Sequence, residues 1–225
     1  GFLVRLEYQG EVYGVLEVDD LAFPEYRDHY LGLVINMAKV SGLAISNARR
    51  AEEVLDIYAK LNYANSHDNL TGSCNRQYFE SQFELMRDRK DILSVGVFVC
   101  DVDGLKGVND TVGYTAGDQL IMATAQLLFG CFRENDVVAR MGDGKFFVLL
   151  PNCTNEMGAM FMDHIDKSIE AYNEEAADLR GRRRLSISMG LAIGFNPGLD
   201  MGKLLKDAEA AMDRSKQAEK PACFF

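Results

Sequence analysis

Two aspartates, Asp101 and Asp103, stand two residues apart where the apolar run Ile92–Cys100 ends. Carboxylates at a strand end, beside newly freed backbone carbonyls, are the hard oxygen donors that Mg²⁺ prefers, provided another carboxylate or a phosphate completes the shell. The same residues equally make an acidic surface turn, because turns carry Asp and Asn often. Further on, Arg133 and Asp136 form an Arg-x-x-Asp pair. Arginine can grip phosphate through two parallel hydrogen bonds or stack on a base, and aspartate can accept from a base edge. The alternative is an arginine placed at the negative end of the preceding helix dipole. The five cysteines, Cys74, Cys100, Cys131, Cys153 and Cys223, are far apart and contain no Cys-x-x-Cys pair. They imply neither zinc nor a disulfide framework and read as reduced packing thiols.

The elements that must position these groups follow from periodicity. Residues 1–20 alternate on either side of Gln9-Gly10, which predicts a hairpin. From about Asp28 the pattern turns helical, with Ala44, Ala48, Ala51, Leu55, Tyr58 and Leu61 at three- and four-residue steps, and it runs to about Ser66. A helix that long connects domains or pairs with a copy of itself, so a homodimer is expected. Beyond it come a buried strand (Ile92–Cys100), a helix (Thr115–Phe132), two short strands around a glycine turn (Asp136–Ala139 and Phe146–Leu150), a helix (Glu156–Ala171), a strand (Arg184–Ile193) and a last helix (Met201–Ala218). That order predicts an α+β fold, ferredoxin-like (βαββαβ), with a mainly antiparallel sheet and helices over one face.

Composition sets limits. A chain of 225 residues suits one complete domain plus an attached piece, and a 48% hydrophobic fraction can fill its core. The net charge of −10 argues against non-specific binding to nucleic acid or to an anionic membrane, both of which need a basic surface. No unbroken apolar run reaches the roughly 20 residues that span a bilayer, so a cytoplasmic protein without membrane contact is expected.

The words YQGEVYGVLEVDD and FPEYRDHYLGLVINMAKVSGLAISNARRAEEV resemble the last hairpin and closing helix of a GAF domain. That family's earlier strands and helices are not in the sequence, so a complete GAF ligand pocket is not expected. The rest resembles the GGDEF (diguanylate cyclase) family. DNLTGSCNR at Asp68–Arg76 is similar to its DxLTGLxNR, with Ser73 for leucine. CDVDGLKGVNDTVGYTAGDQL at Cys100–Leu120 is similar to DxDxFKxxNDxxGHxxGD, with Leu105 for phenylalanine and Tyr114 for histidine. The implied organisation is a GAF fragment over 1–50, a helical linker over 51–67 and a degenerate GGDEF domain over 68–225.

That resemblance implies roles. Asp101 and the carbonyl of Val102 would hold Mg²⁺, Lys106 would approach phosphate, and Asn109 with Asp118 would read guanine. An ionised carboxylate accepts from the ring N–H and exocyclic amine, while an amide donates to the base. Asp118 could also cap the helix beginning near it. Where the family has ARxGGDEF, this chain has ARMGDGKF, which sets Gly142, Asp143, Gly144, Lys145 and Phe146 against the five signature letters. Both acidic positions are gone, which leaves the Mg²⁺ site incomplete and implies lost catalysis. Asp143 is displaced by one residue, and strand alternation would point it away from the metal position. Lys145 reads as a solvated turn residue, or as an ammonium able to neutralise phosphate without metal.

Arg133 and Asp136 resemble the family's inhibitory product site. In the last helix Lys216 falls on a phosphate-contacting lysine and Lys220 on an arginine. The expected function is regulatory, with cyclic di-GMP or GTP as partner. The alternatives are a cyclase active through an altered metal site and a dimerisation module without nucleotide.

Overall fold

The computed structural model describes the chain except residues 88, 90, 179–182, 197–198, 219–221 and 224–225. The chain divides into two compact units, Gly1–Asn62 and Tyr63–Phe225.

In the first unit β1 (Phe2–Tyr8) pairs antiparallel with β2 (Glu11–Val18), and Gln9 and Gly10 turn the chain with φ of 52° and 85°. Two central residues with positive φ match the right-handed twist of the strands. A short turn at Pro24–Tyr26 leads into α1 (Arg27–Ser66), 40 residues and about 60 Å long. Ala38, Gly42 and Ser46 form its buried face, and a side chain at Gly42 would stand 2.6 Å from the carbonyl of Glu7. Roughly opposite, at about 100° per residue, lies an exposed stripe: Leu33, Met37, Val40, Val54, Tyr58 and Leu61. With Ala44, Asn47 and Ala51 between them, these positions alternate steps of four and three, a heptad seam. The segment Pro24–Ser66 is also long and apolar enough, by length and composition, to cross a membrane. Asn36, Lys39 and Ser41 break any apolar run there, yet the average stays apolar.

The second unit holds a six-stranded sheet in the order β3-β5-β6-β4-β7-β8. Its central strands β5 (Val137–Gly142), β6 (Lys145–Pro151), β4 (Ser94–Val102) and β7 (Ile187–Phe195) are antiparallel, while β3 (Cys74–Asn75) and β8 (Ala222–Cys223) add short parallel edges. The helices are α2 (Arg76–Arg87), α3 (Leu105–Val112), α4 (Tyr114–Cys131), α5 (Asn155–Asp178) and α6 (Met201–Ala218). This is the expected α+β ferredoxin-like plan.

Three details depart from expectation. Helices cover both faces: Phe98, Cys100 and Val102 of β4 pack with Leu120 and Leu128 of α4 and Ile165 of α5, while Val95, Val97 and Val99 pack with Phe79 of α2 and Ala208 of α6. The unbroken apolar run of β4 is the cause, since such a strand has no polar side to give to water. Next, the segment read as a turn after β4 contains α3, whose N-cap, Gly104, has a φ of 68°. Third, β4 and β7 begin two and three residues later than the apolar pattern indicated.

Candidate functional site

The end of β4, the first turns of α3 and the β5–β6 turn enclose a cleft of about 460 Å³. Asp101, Lys106, Asn109, Asp143, Gly144 and Lys216 line it. Lys106 and Asn109 come from α3, and Lys216 from the last turns of α6. Asn109 Oδ1 is buried without a hydrogen bond, and a side chain at Gly117 would fall 2.0 Å from it. The amide is therefore pinned against the backbone of α4, which leaves its Nδ2 end to donate to a ligand. Gly117 has to be glycine for that approach.

Lys216 Nζ donates to Asp101 Oδ2 at 2.8 Å, and this bond raises the lysine pKa. Asp103 is also occupied: Ser186 and Ser188 donate to its two oxygens at 2.8 and 2.7 Å, tying the strand end to β7. Gly144 offers no carboxylate, and a side chain there would meet Leu105 and Val102 at 3.0 Å. Among the described residues no group of three or more His, Cys, Asp or Glu could hold a metal. The residues present do not fit a Mg²⁺ site.

The turn itself corrects one expectation. Asp143 lines the cleft. The β5–β6 register shifts between Arg140 and Gly142, and Asp143 adopts a left-handed φ of 41°, so strand alternation does not govern its direction. Lys145 pairs in register with Asp101 but lines a different cleft, with Arg76, Phe79, Phe83 and Glu209 on the α2 and α6 side. Phe146 is fully buried in the core. Arg140 holds the turn from below: Nε and Nη2 donate to the Asp143 carbonyl at 3.2 and 3.0 Å, and Nη1 reaches both oxygens of Asp68 at 3.0 and 3.2 Å. Sequence reasoning placed Asp68 and Arg140 in two separate motifs and missed their pairing.

Asp118 is half-buried, does not line the cleft and lies five residues into α4, whose N-cap is Gly113, so it caps nothing. Lys220 lies outside the described residues.

Arg133 and Asp136 meet directly. The Arg133 backbone N–H donates to Asp136 Oδ2 at 2.8 Å, Nε reaches both oxygens, and Nη2 reaches Oδ1 at 2.7 Å. Nη2 also donates to the Pro151 carbonyl, and the guanidinium lies over the Phe161 ring. The Asp136 side chain is 0% exposed and that of Arg133 39%. The aspartate is consumed by its own arginine, so it cannot accept from a base in this conformation; the arginine keeps an open edge.

The family model for the GGDEF domain of diguanylate cyclases matches residues 65–221. A probable diguanylate cyclase of Escherichia coli K12, DgcE, is 31% identical over 180 residues, 78% of this chain and 16% of that protein. Diguanylate cyclase A of Treponema denticola is 27% identical over 221 residues, 96% of this chain and 57% of that protein. The chain thus spans less than two thirds of either relative. Among solved structures, the coiled coil and GGDEF domain of DgcB from Caulobacter crescentus, in complex with c-di-GMP, superposes with a TM-score of 0.70 at 22% identity, covering 81% of this chain and 97% of that one. At that identity the likeness speaks for the fold.

Proposed function

The chain belongs to the GGDEF diguanylate cyclase family, and from that premise we propose a member that no longer makes cyclic di-GMP and acts as a regulatory module binding guanine nucleotides. The observation that carries this reading is the turn cleft, where Gly144 supplies no carboxylate and Lys216 sits on Asp101. Phosphoryl transfer rests on positioning and on neutralising charge, largely by metal ions. Asp143 lines the same cleft, but among the described residues no three His, Cys, Asp or Glu side chains come together to hold a metal for that work. Binding survives the loss: Lys106 and Asn109 still line the cleft for a GTP-like ligand, and Arg133 keeps an open edge for the phosphate of cyclic di-GMP. The Caulobacter relative holds c-di-GMP, which supports the ligand class.

The test is to incubate the protein with GTP and either Mg²⁺ or Mn²⁺, follow products by chromatography, and titrate GTP and cyclic di-GMP by calorimetry. No cyclic di-GMP should form, and at least one nucleotide should bind. Product above background would restore the active-cyclase reading, and two flat titrations would leave a module without nucleotide.

The heptad seam of α1 favours a second component. In this reading α1 pairs with a second copy, and the hairpin unit is the closing part of a GAF domain. Sedimentation should report a dimer that Val40→Glu with Leu61→Glu converts to monomer; an unchanged mass would remove the seam from the interface.

A further inference from the structure

Beside Arg133 lies a cleft of about 210 Å³ that the turn cleft does not reach. It is smaller than the roughly 300–1,000 Å³ of sites for whole drug-sized ligands, a size for one planar ring system. His67, Phe129, Arg133 and Glu134 are among its walls. The His67 ring is stacked on Tyr63, with centroids 4.0 Å apart and planes 8° from parallel. Tyr63 covers one face, so His67 turns its other face or its edge to the cleft. Its Nδ1 is held 2.8 Å from Ser66 Oγ and 3.2 Å from the Tyr63 carbonyl, which fixes the ring. Phe129 is 44% exposed, an aromatic side chain left to solvent at the same place. Glu134 is an exposed carboxylate next to the buried, consumed Asp136.

We infer that this cleft is the base-binding part of the Arg133 site, with a guanine stacked on His67 and Phe129 and its N1–H and 2-amino edge read by Glu134. A carboxylate accepts both of those donors, whereas adenine presents a bare ring nitrogen there, so Glu134 selects guanine. Arg133 takes the adjoining phosphate through its open edge. The inference rests on the proposed binding of cyclic di-GMP at Arg133 and transfers the guanine-reading role from Asp136 to Glu134. It also brings the ligand to the last turn of α1, because the backbone N–H of His67 donates to the Tyr63 carbonyl at 2.9 Å.

The experiment titrates cyclic di-GMP and cyclic di-AMP into wild type, His67→Ala, His67→Phe, Glu134→Gln and Arg133→Lys by calorimetry. The ring protons of the three histidines are followed by NMR in parallel. One histidine signal should move upfield on saturation with cyclic di-GMP and be missing from His67→Ala. His67→Ala should weaken binding about tenfold, in keeping with the loss of one base stack, while His67→Phe stays within about threefold. Glu134→Gln should narrow the preference for cyclic di-GMP over cyclic di-AMP. Arg133-sensitive binding with His67→Ala and Glu134→Gln at wild-type affinity and no histidine signal moving would overturn the inference and leave the regulatory reading intact. A flat cyclic di-GMP titration of the wild type would overturn the inference together with the proposed binding of cyclic di-GMP at Arg133, and would leave GTP binding in the turn cleft as the regulatory reading.

Discussion

Two arginine–aspartate pairs precede the signature turn, and they do different work. Arg133 and Asp136 are neighbours in sequence, and the aspartate side chain is wholly buried. Arg140 and Asp68 come from motifs 72 residues apart; both keep some exposure, at 15% and 24%, and Arg140 also carries the turn carbonyl of Asp143. The local pair closes a corner, while the distant pair ties the segment after α1 to the β5–β6 turn. The contrast teaches that an Arg-x-x-Asp motif is not by itself a ligand grip: here its acid is spent holding the fold.

The sharpest way to break that comparison is Arg133→Ala, which strips a fully buried carboxylate of its cation. Urea unfolding should show a loss of about 2–3 kcal/mol, below the full cost of a completely buried pair because Arg133 is partly exposed. A loss under about 0.5 kcal/mol would mean that the pair does not hold the corner.

Asp68→Asn should cost less, about 1 kcal/mol, since the amide still accepts from Thr71 and loses only the charge-assisted part. Burial pushes the Asp68 carboxyl up, but hydrogen bonds from Thr71 and Arg140 and the Arg140 charge hold it below the ordinary carboxylate range. A lowered folded pKa contributes stability above the unfolded value of about 3.9 and loses it as pH falls through the folded one. Wild type should therefore lose stability below about pH 4 more steeply than Asp68→Asn, and parallel acid curves would count against the pairing.

Asp143→Gly should be mildly stabilising, by about 0.5 kcal/mol, because relief of the left-handed backbone slightly exceeds the entropy added to the unfolded chain. It also removes a carboxylate from the cleft, so GTP affinity should rise. The melting temperature and a GTP titration check both. Lys145→Glu should do least, within about 0.5 kcal/mol, with GTP affinity unchanged because Lys145 lines the other cleft.

Much of the fold was legible because periodicity survives packing. The hairpin, the long helix and the bounds of α6 follow directly from residue spacing. The helix α3 was not legible: Gly107, Asn109 and Asp110 are turn formers, and packing against α4 accompanies their helical state. The second helical layer was missed because a ferredoxin-like order does not say which side of the sheet each helix crosses. At the site, Lys106, Asn109 and Lys216 line one cleft although Lys216 stands far from the other two in the sequence, while the clefts that Asp143 and Lys145 line were hidden by a register shift no spacing reveals.

Sequence alone determined that position 144 has no carboxylate, and this holds in any fold because a missing atom cannot be supplied by geometry. It also determined the order of the four central strands and of the helices other than α3, which local spacing encodes. Only the tertiary structure decided which partner each charge takes. Lys216 reaches Asp101 across 115 residues and Arg140 reaches Asp68 across 72, contacts set by where the chain returns in space. Asp143 lines the cleft from a turn that is left-handed at that residue and whose carbonyl Arg140 holds, geometry that the closed turn sets and spacing does not.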